Sequence, residues 1–531
     1  MKNIYCILLF TAFILNACYD DKGNYNYKDI NEIEISFEDN ASYTKTFGEV
    51  LELTPILNFD LSQEGDRYTY LWKLNDETRE GWDQPTLKWE IDEVVDRGKI
   101  SLEITDHKYG VSYLGYATLS VVGIYENARS WMILSEVGGK SQLSYFNMLE
   151  YDSEVDTIIS SRITLDVYGM SNDGAELGSG PIALQEHFRE GVDWNENIVG
   201  NVCVFQESGA VDLSGVDFTK EIDMAEAFDG GTYPAGVILG PGTFMDWVDI
   251  VTDQEGRLYS RLKSVSTVYN TDYFLHTPLS CTGETEPLRN CTVIPGYYRS
   301  NRTGYNFVYD GENKRLLYVT NGGTNWESDL QGAGRVTALP ACDIDKIIPL
   351  NDMKGYELLK ATMFGFGYPN YGVALLLKEE ATGKIFLQRV KITGSNAKPR
   401  ILEIFKDEVI GLPGIPTVSA LPLNGPEYMF FAVDKNVYCL DLNNITKPVT
   451  LYKSFDANVV AMNAESETYS CAHMAVGLEN GEFYILMIYG AKNLSEEEKV
   501  IYPKHGAAYP AEERMGRIVD IKYKQLDHWN Y

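Results

Sequence analysis

Phe307-Val308-Tyr309-Asp310-Gly311, followed by Leu316-Leu317-Tyr318-Val319, is an apolar run, an Asp-Gly turn and a second apolar run. Aromatic and β-branched runs around such a turn read as two antiparallel strands. The same unit recurs on both sides. Toward the N-terminus come Asp249-Ile250-Val251 with Arg257-Leu258-Tyr259, Val202-Cys203-Val204-Phe205 with Val211-Asp212-Leu213, and Trp131-Met132-Ile133-Leu134 with Gln142-Leu143-Ser144-Tyr145. Toward the C-terminus come Val373 to Leu377 with Ile385-Phe386-Leu387, Met429 to Ala432 with Val437 to Leu440, and Met474-Ala475-Val476 with Phe483 to Leu486. Each step between copies is long enough for one four-stranded blade of about 40–45 residues, with room for loops. Seven copies predict a seven-bladed β-propeller over residues 125–531. Arg517 to Tyr523 is the strand expected to close that ring against its first blade.

Before the repeat the pattern differs. Ile33-Glu34-Ile35-Ser36-Phe37, Val50 to Leu53, Tyr68 to Leu74, Ile100 to Ile104 and Ala117 to Val122 are short runs at the spacing of an immunoglobulin-type β-sandwich. Trp72, in a central run, is the candidate core residue. The chain is therefore expected to be all-β, a sandwich over residues 30–124 followed by the propeller.

The first residues point outward from the cell. Lys2 precedes an apolar stretch, Ile4 to Leu15, too short to span a bilayer, and Leu15-Asn16-Ala17-Cys18 has the form of a lipobox. Residues 1–17 read as a lipoprotein signal peptide and Cys18 as the lipidated first residue of the mature chain. Residues 18–29 form a polar tether. Several acyl chains, at about 0.8 kcal/mol per buried methylene, make a lasting anchor. Tyr19-Asp20-Asp21-Lys22 resembles the export signal of outer-membrane lipoproteins that face the exterior.

Composition narrows the functional classes. The net charge of -32 and only 45 Lys and Arg in 531 residues argue against nucleic acid and against peripheral binding to anionic lipid heads. The 36 Tyr and 8 Trp suit β structure and surfaces that bind polar ligands by stacking. Cys281 and Cys291 close a short polar loop and are a candidate disulfide, which would contribute about 2–3 kcal/mol. Cys203, Cys439 and Cys471 sit in apolar runs and read as buried small side chains.

The opening Cys18-Tyr19-Asp20-Asp21-Lys22-Gly23-Asn24-Tyr25-Asn26-Tyr27 and Asn31-Glu32-Ile33 resemble the PKD-like family of lipoproteins. So do Tyr70-Leu71-Trp72-Lys73, Leu102-Glu103-Ile104-Thr105-Asp106 and Trp131-Met132-Ile133-Leu134-Ser135-Glu136. The resemblance covers roughly the first 145 residues. It implies an accessory surface subunit of a TonB-dependent nutrient importer of the SusC/SusD type. It brings no catalytic motif and does not name the cargo.

Catalytic signatures are sparse. Gly138-Gly139-Lys140-Ser141 imitates the end of a phosphate-binding loop, but the leading glycine position holds Leu134 and the setting is a hairpin. The six histidines form no zinc motif, and neither a nucleophile elbow nor an EF-hand pattern occurs. No cofactor or metal is expected. The ligand-binding candidates are aromatics in Gly-, Asn- and Pro-rich loops: Trp194, Trp247, Tyr298, Trp326, Tyr368 and Tyr371. The expectation is a non-catalytic protein that binds or retains oligopeptide or oligosaccharide. A propeller hydrolase or lyase, and a pure spacer, remain the alternatives.

Overall fold

The computed structural model describes residues 32–60, 67–125, 129–152, 157–187, 200–245, 247–263, 272–295, 305–321, 332–341, 347–365, 370–393, 399–422, 427–465, 472–504 and 506–524. The chain divides into two compact units. The first comprises the described residues up to Lys45, Glu49–Ile91 and Arg97–Ser120; the second comprises Thr46–Gly48, Asp92–Asp96 and the residues from Val121 onward.

In the first unit a four-stranded sheet runs in the order Ser42–Thr46, Val111–Val122, Val95–Asp106, Tyr68–Leu74. Two further antiparallel pairs join Ile33–Ser36 to Ile56–Phe59 and Val50–Leu53 to Leu87–Glu90. Trp72 is fully buried, 5.9 Å from the Phe37 ring, and its indole N–H donates to the Gln84 carbonyl at 2.8 Å. The sequence pattern located five of these eight strands. Ser42–Thr46 and Ile56–Phe59 bury no side chain fully, so their signal is weak, whereas Leu87–Glu90, which buries Leu87 and Trp89, is only four residues long.

The second unit is a succession of seven antiparallel sheets among the described residues. The seven sequence repeats are the two middle strands of each four-stranded sheet and the last two described strands of the third. In the fourth sheet they are Tyr305–Asp310 and Arg315–Thr320, flanked by Cys291–Val293 and Val336–Ala338. Middle strands are covered on both faces, so they read as continuous apolar runs. The flanking strands, such as Lys220–Asp223, are short or half-exposed and carry little signal. The third sheet has three described strands, Leu239–Phe244, Val248–Asp253 and Leu258–Leu262.

The first sheet is assembled from distant parts of the chain. Its strands are Thr157–Thr164, Lys140–Asp152, Ser130–Val137 and the terminal Arg517–Lys524. The last pairs antiparallel with Ser130–Val137, Arg517 opposite Glu136 and Lys524 opposite Ser130. Gly138 and Gly139, both at positive φ, make the turn between Ser130–Val137 and Lys140–Asp152, so the Gly-Gly-Lys-Ser run is a hairpin corner.

Among the described residues, seven apolar cores fill the spaces between consecutive sheets. Leu134 and Tyr145 of the first sheet meet Leu184 and Val204 of the second. Phe205 of the second meets Phe244 and Tyr259 of the third. Ile250 and Leu258 meet Val308 and Leu317 of the fourth. Phe307 meets Val373 and Leu375 of the fifth, and Leu376 meets Phe431 of the sixth. Phe430 meets Met474 and Val476 of the seventh. The last core returns to the beginning: Ala475, Phe483 and Ile485 pack with Trp131, Phe146, Ile518 and Ile521.

Candidate functional site

In an antiparallel sheet the end of the first strand and the start of the second lie at the same edge, as do the end of the third and the start of the fourth. At this edge, from the seventh sheet through the first, second and third to the fourth, buried and half-buried polar groups form a series of contacts. Glu465 and His473 bound one strand connection in the seventh sheet, and both are fully buried. Glu465 Oε2 accepts from the Ala472 and His473 backbone N–H groups at 3.1 and 3.2 Å and lies 3.0 Å from His473 Nδ1. The other imidazole nitrogen lies 3.2 Å from the Tyr151 hydroxyl of the first sheet. Arg129 closes the group: its Nε is 3.3 Å from Glu465 Oε1, and its guanidinium lies 4.3 Å from the Tyr151 ring centroid.

The series of contacts continues across the first sheet. Lys524, fully buried, places Nζ 2.7 Å from Glu186 Oε1 at the end of the second sheet's first strand. Next to Glu186, His187 Nε2 lies 2.8 Å from Asp212 Oδ1, and Asn201 donates to Asp212 Oδ2 at 3.1 Å. The His187 ring stacks on Phe244 of the third sheet at 4.3 Å. Asp249 there is fully buried, with Arg261 Nε at 2.8 Å and Lys263 Nζ at 3.3 Å. Asn306 of the fourth sheet donates to Thr243 Oγ1 at 2.5 Å. Desolvation offsets much of the Coulombic gain of buried ion pairs, so a run of them is poor evidence for stabilisation. It does fix the position and orientation of every group along this edge.

The sequence candidates distribute unevenly over this geometry. Trp247 lies in the turn between the first two strands of the third sheet, at the same edge. Its backbone N–H donates to Asn321 Oδ1 at 2.9 Å, and its ring is half-buried. Cys18, Trp194, Tyr298, Trp326 and Tyr368 lie outside the described residues. Tyr371 was expected in a loop, but it belongs to the strand Asn370–Glu379, where it pairs with Gly365 and Ile392. The strand begins earlier than expected because its partner Tyr356–Gly365 extends the ladder to Gly365.

The candidate disulfide is not formed. Cys281 and Cys291 are buried free thiols in the core between the third and fourth sheets. Cys291 sits on a strand opposite Asp310, while Cys281 bridges Val336. Burial pushes the Cys291 thiol up to about 12 and also raises Cys281. Cys203 and Cys439 are buried free thiols, as their apolar settings implied.

The Tyr151, His473, Glu465 and Arg129 group was invisible in the sequence. Tyr151 and His473 are 322 positions apart, and the eight-residue spacing of Glu465 and His473 matches no catalytic motif. Among the described residues no group of three or more His, Cys, Asp or Glu side chains is placed to hold a metal ion, and no helix is long and apolar enough to cross a membrane.

No curated protein matches the chain. Among solved structures it is similar to a quinonprotein alcohol dehydrogenase-like protein from Bacteroides thetaiotaomicron, at 14% identity and TM-score 0.38, covering 92% of this chain and 99% of that one. It is also similar to human WBSCR16, at 9% identity and TM-score 0.33, with coverage of 68% and 89%. A third is BBS1N in complex with ARL6DN, at 9% identity and TM-score 0.30, with coverage of 54% and 73%. The family model described as PKD-like matches residues 18–181, so the N-terminal part of this all-β chain is PKD-like.

Proposed function

We propose that this chain is a lipoprotein of the outer surface, anchored through Cys18, whose second unit is a seven-bladed β-propeller that binds or retains cargo for a SusC/SusD-type importer. The cargo is oligopeptide or oligosaccharide, and the protein does not turn it over. The observation that carries the reading is the start of the family match. It begins at Cys18, the residue the lipobox would make first in the mature chain. Seven sheets, seven intervening cores and a terminal strand paired into the first sheet support the blade count. Purification of the native protein from membranes, with identification of whatever transporter and ligand accompany it, tests the reading. Recovery of the protein alone, with no transporter partner, would refute the accessory role.

A second reading rests on the Tyr151 hydroxyl. It meets a histidine whose other nitrogen is held by a buried carboxylate, an arrangement suited to general acid–base chemistry. Product release from glycan or peptide by the purified protein, abolished in Tyr151→Phe, would favour an enzyme over a binding subunit.

A further inference from the structure

Glu465, His473, Tyr151 and Arg129 are graded from the inside outward. Glu465 and His473 are fully buried, whereas Tyr151 and Arg129 are half-buried. Every polar atom of the two inner side chains has a partner. Glu465 Oε2 accepts from the Ala472 and His473 backbone N–H groups and faces His473 Nδ1, while Oε1 faces Arg129 Nε. A carboxylate only accepts, so Nδ1 carries the imidazole proton, and Nε2 of the neutral ring accepts from the Tyr151 hydroxyl. Apart from two backbone N–H groups, the inner pair therefore bonds only to the two outer side chains and fixes how they point.

The outer pair is held as firmly. The Arg129 guanidinium lies over the Tyr151 ring, 4.3 Å from its centroid. The backbone at Arg129 has a φ of 61°, a left-handed conformation that is costly for a residue with a side chain. Its carbonyl accepts from the Met148 N–H at 3.3 Å, which ties that conformation to the strand Lys140–Asp152. A buried charge and a strained residue both weigh against folding. Where they coincide, the geometry is kept for what it presents outward.

What it presents is the far end of Arg129. Only Nε is engaged, and neither terminal nitrogen has a hydrogen-bond partner among the described residues. Its 3.3 Å contact with Glu465 is longer than the about 2.7–2.9 Å usual for a charge-assisted bond, so the guanidinium charge is incompletely met. The Tyr151 ring covers one face of the guanidinium, which leaves the edge with its two terminal nitrogens for a ligand. Two parallel N–H donors in one plane match the two oxygens of a carboxylate. With His473 neutral, Arg129 and Glu465 cancel, so a monoanion meets less repulsion here than a dianion such as phosphate.

We propose that Arg129 is a carboxylate clamp at the junction of the seventh and first sheets, Nη1 and Nη2 donating to the two oxygens of one carboxylate of the cargo. A peptide C-terminus and a uronic acid present the same planar monoanion. The inference rests on the cargo-binding reading and narrows that cargo to acidic chains; it needs neither the lipid anchor nor a transporter.

Calorimetry on the purified full-length chain tests it with an N-acetylated dipeptide bearing a free C-terminus, the same dipeptide amidated, a methyl glucuronoside and a methyl glucoside. Saturable binding of one acid, with its neutral counterpart at least about tenfold weaker, is expected. The acid that titrates more tightly identifies the source of the carboxylate. Arg129→Lys keeps the charge but loses the fork, and should weaken that acid about tenfold in a protein whose thermal melt shows it folded. In the unsubstituted chain with ¹⁵N-labelled arginine, the Arg129 side-chain resonance should shift in step with the titration, a response that a purely structural arginine would not give. That resonance is assigned by its loss in Arg129→Lys or in Arg129→Gly, the latter suited to the positive φ. Equal affinity for an acid and its neutral counterpart, or undiminished acid affinity in folded Arg129→Lys, would overturn the clamp and leave the cargo-binding reading standing. An Arg129 resonance unmoved by both acids would also overturn it.

Discussion

Gly477 offers a direct test of how the seventh sheet meets the terminal strand. It lies in the strand His473–Leu478, and its φ is not in the left-handed region, so only space requires a glycine there. A Cβ at this position would sit 2.7 Å from Ile518 Cγ2 and 2.9 Å from Ile521 Cδ1. Both isoleucines are buried in the core joining the seventh sheet to the first. Overpacking of this kind costs about 1–3 kcal/mol, and Gly477→Ala should lower the urea midpoint accordingly with its m-value unchanged. Ile518→Ala alone leaves a cavity and should cost about 2–5 kcal/mol. The double variant removes the clashing Cγ2 and places a methyl in the vacated space. It should therefore be more stable than the sum of the two single effects predicts, by at least ~0.5 kcal/mol, the usual scale of coupling between touching residues. Strict additivity would mean that residue 477 does not touch Ile518, and the packing of the seventh sheet on the terminal strand would be refuted.

The remaining predictions concern charge, thiols and the anchor. Lys360 has a folded-state pKa below the 10.5 of the unfolded chain, so its protonated form opposes folding, and stability is gained as pH rises through the lowered pKa. Lys360→Met should accordingly raise the thermal midpoint at neutral pH, with a gain on the ~0.5–2 kcal/mol scale of single stabilising changes, and the gain should shrink toward pH 10.5; a lower midpoint would contradict it. Cys203, Cys281, Cys291 and Cys439 should resist iodoacetamide in the native protein at mildly alkaline pH and all react once it is unfolded without reductant, as read by mass spectrometry. Continued protection of Cys281 and Cys291 after unfolding would reveal a disulfide. Cys18→Ala should release the protein from membranes in detergent partition, and full retention would remove the anchor from the proposal.

The sequence was most legible where strands are covered on both faces. Val204-Phe205, Leu375-Leu376-Leu377 and Phe430-Phe431 announce middle strands because alternate side chains feed two different cores. The terminal strand was also readable, since Ile518 and Ile521 are apolar enough to demand a partner. Outer strands such as Arg400–Glu408 escaped the repeat because exposed positions tolerate nearly any residue. The candidate site was legible only in part. Trp247 could be placed near a strand connection, but Glu186 and Lys524, 338 positions apart, acquire meaning only when the strand pairing brings them together.

The junction between Arg517–Lys524 and Ser130–Val137 also bears on how the chain is made. Arg517 Nη2 and Glu136 Oε2, 2.5 Å apart in the folded protein, are separated by 381 positions. Contacts that distant in sequence form slowly, because a long loop must close first. Ser130–Val137 therefore emerges from the ribosome well before its partner, and until the last strand arrives it presents an open edge bearing Trp131, Met132, Ile133 and Leu134. A truncation after residue 516 removes one strand by length but leaves this apolar edge without cover. Such a product would be recognised as unfinished by chaperones and proteases, so completion of the chain becomes a condition for its survival.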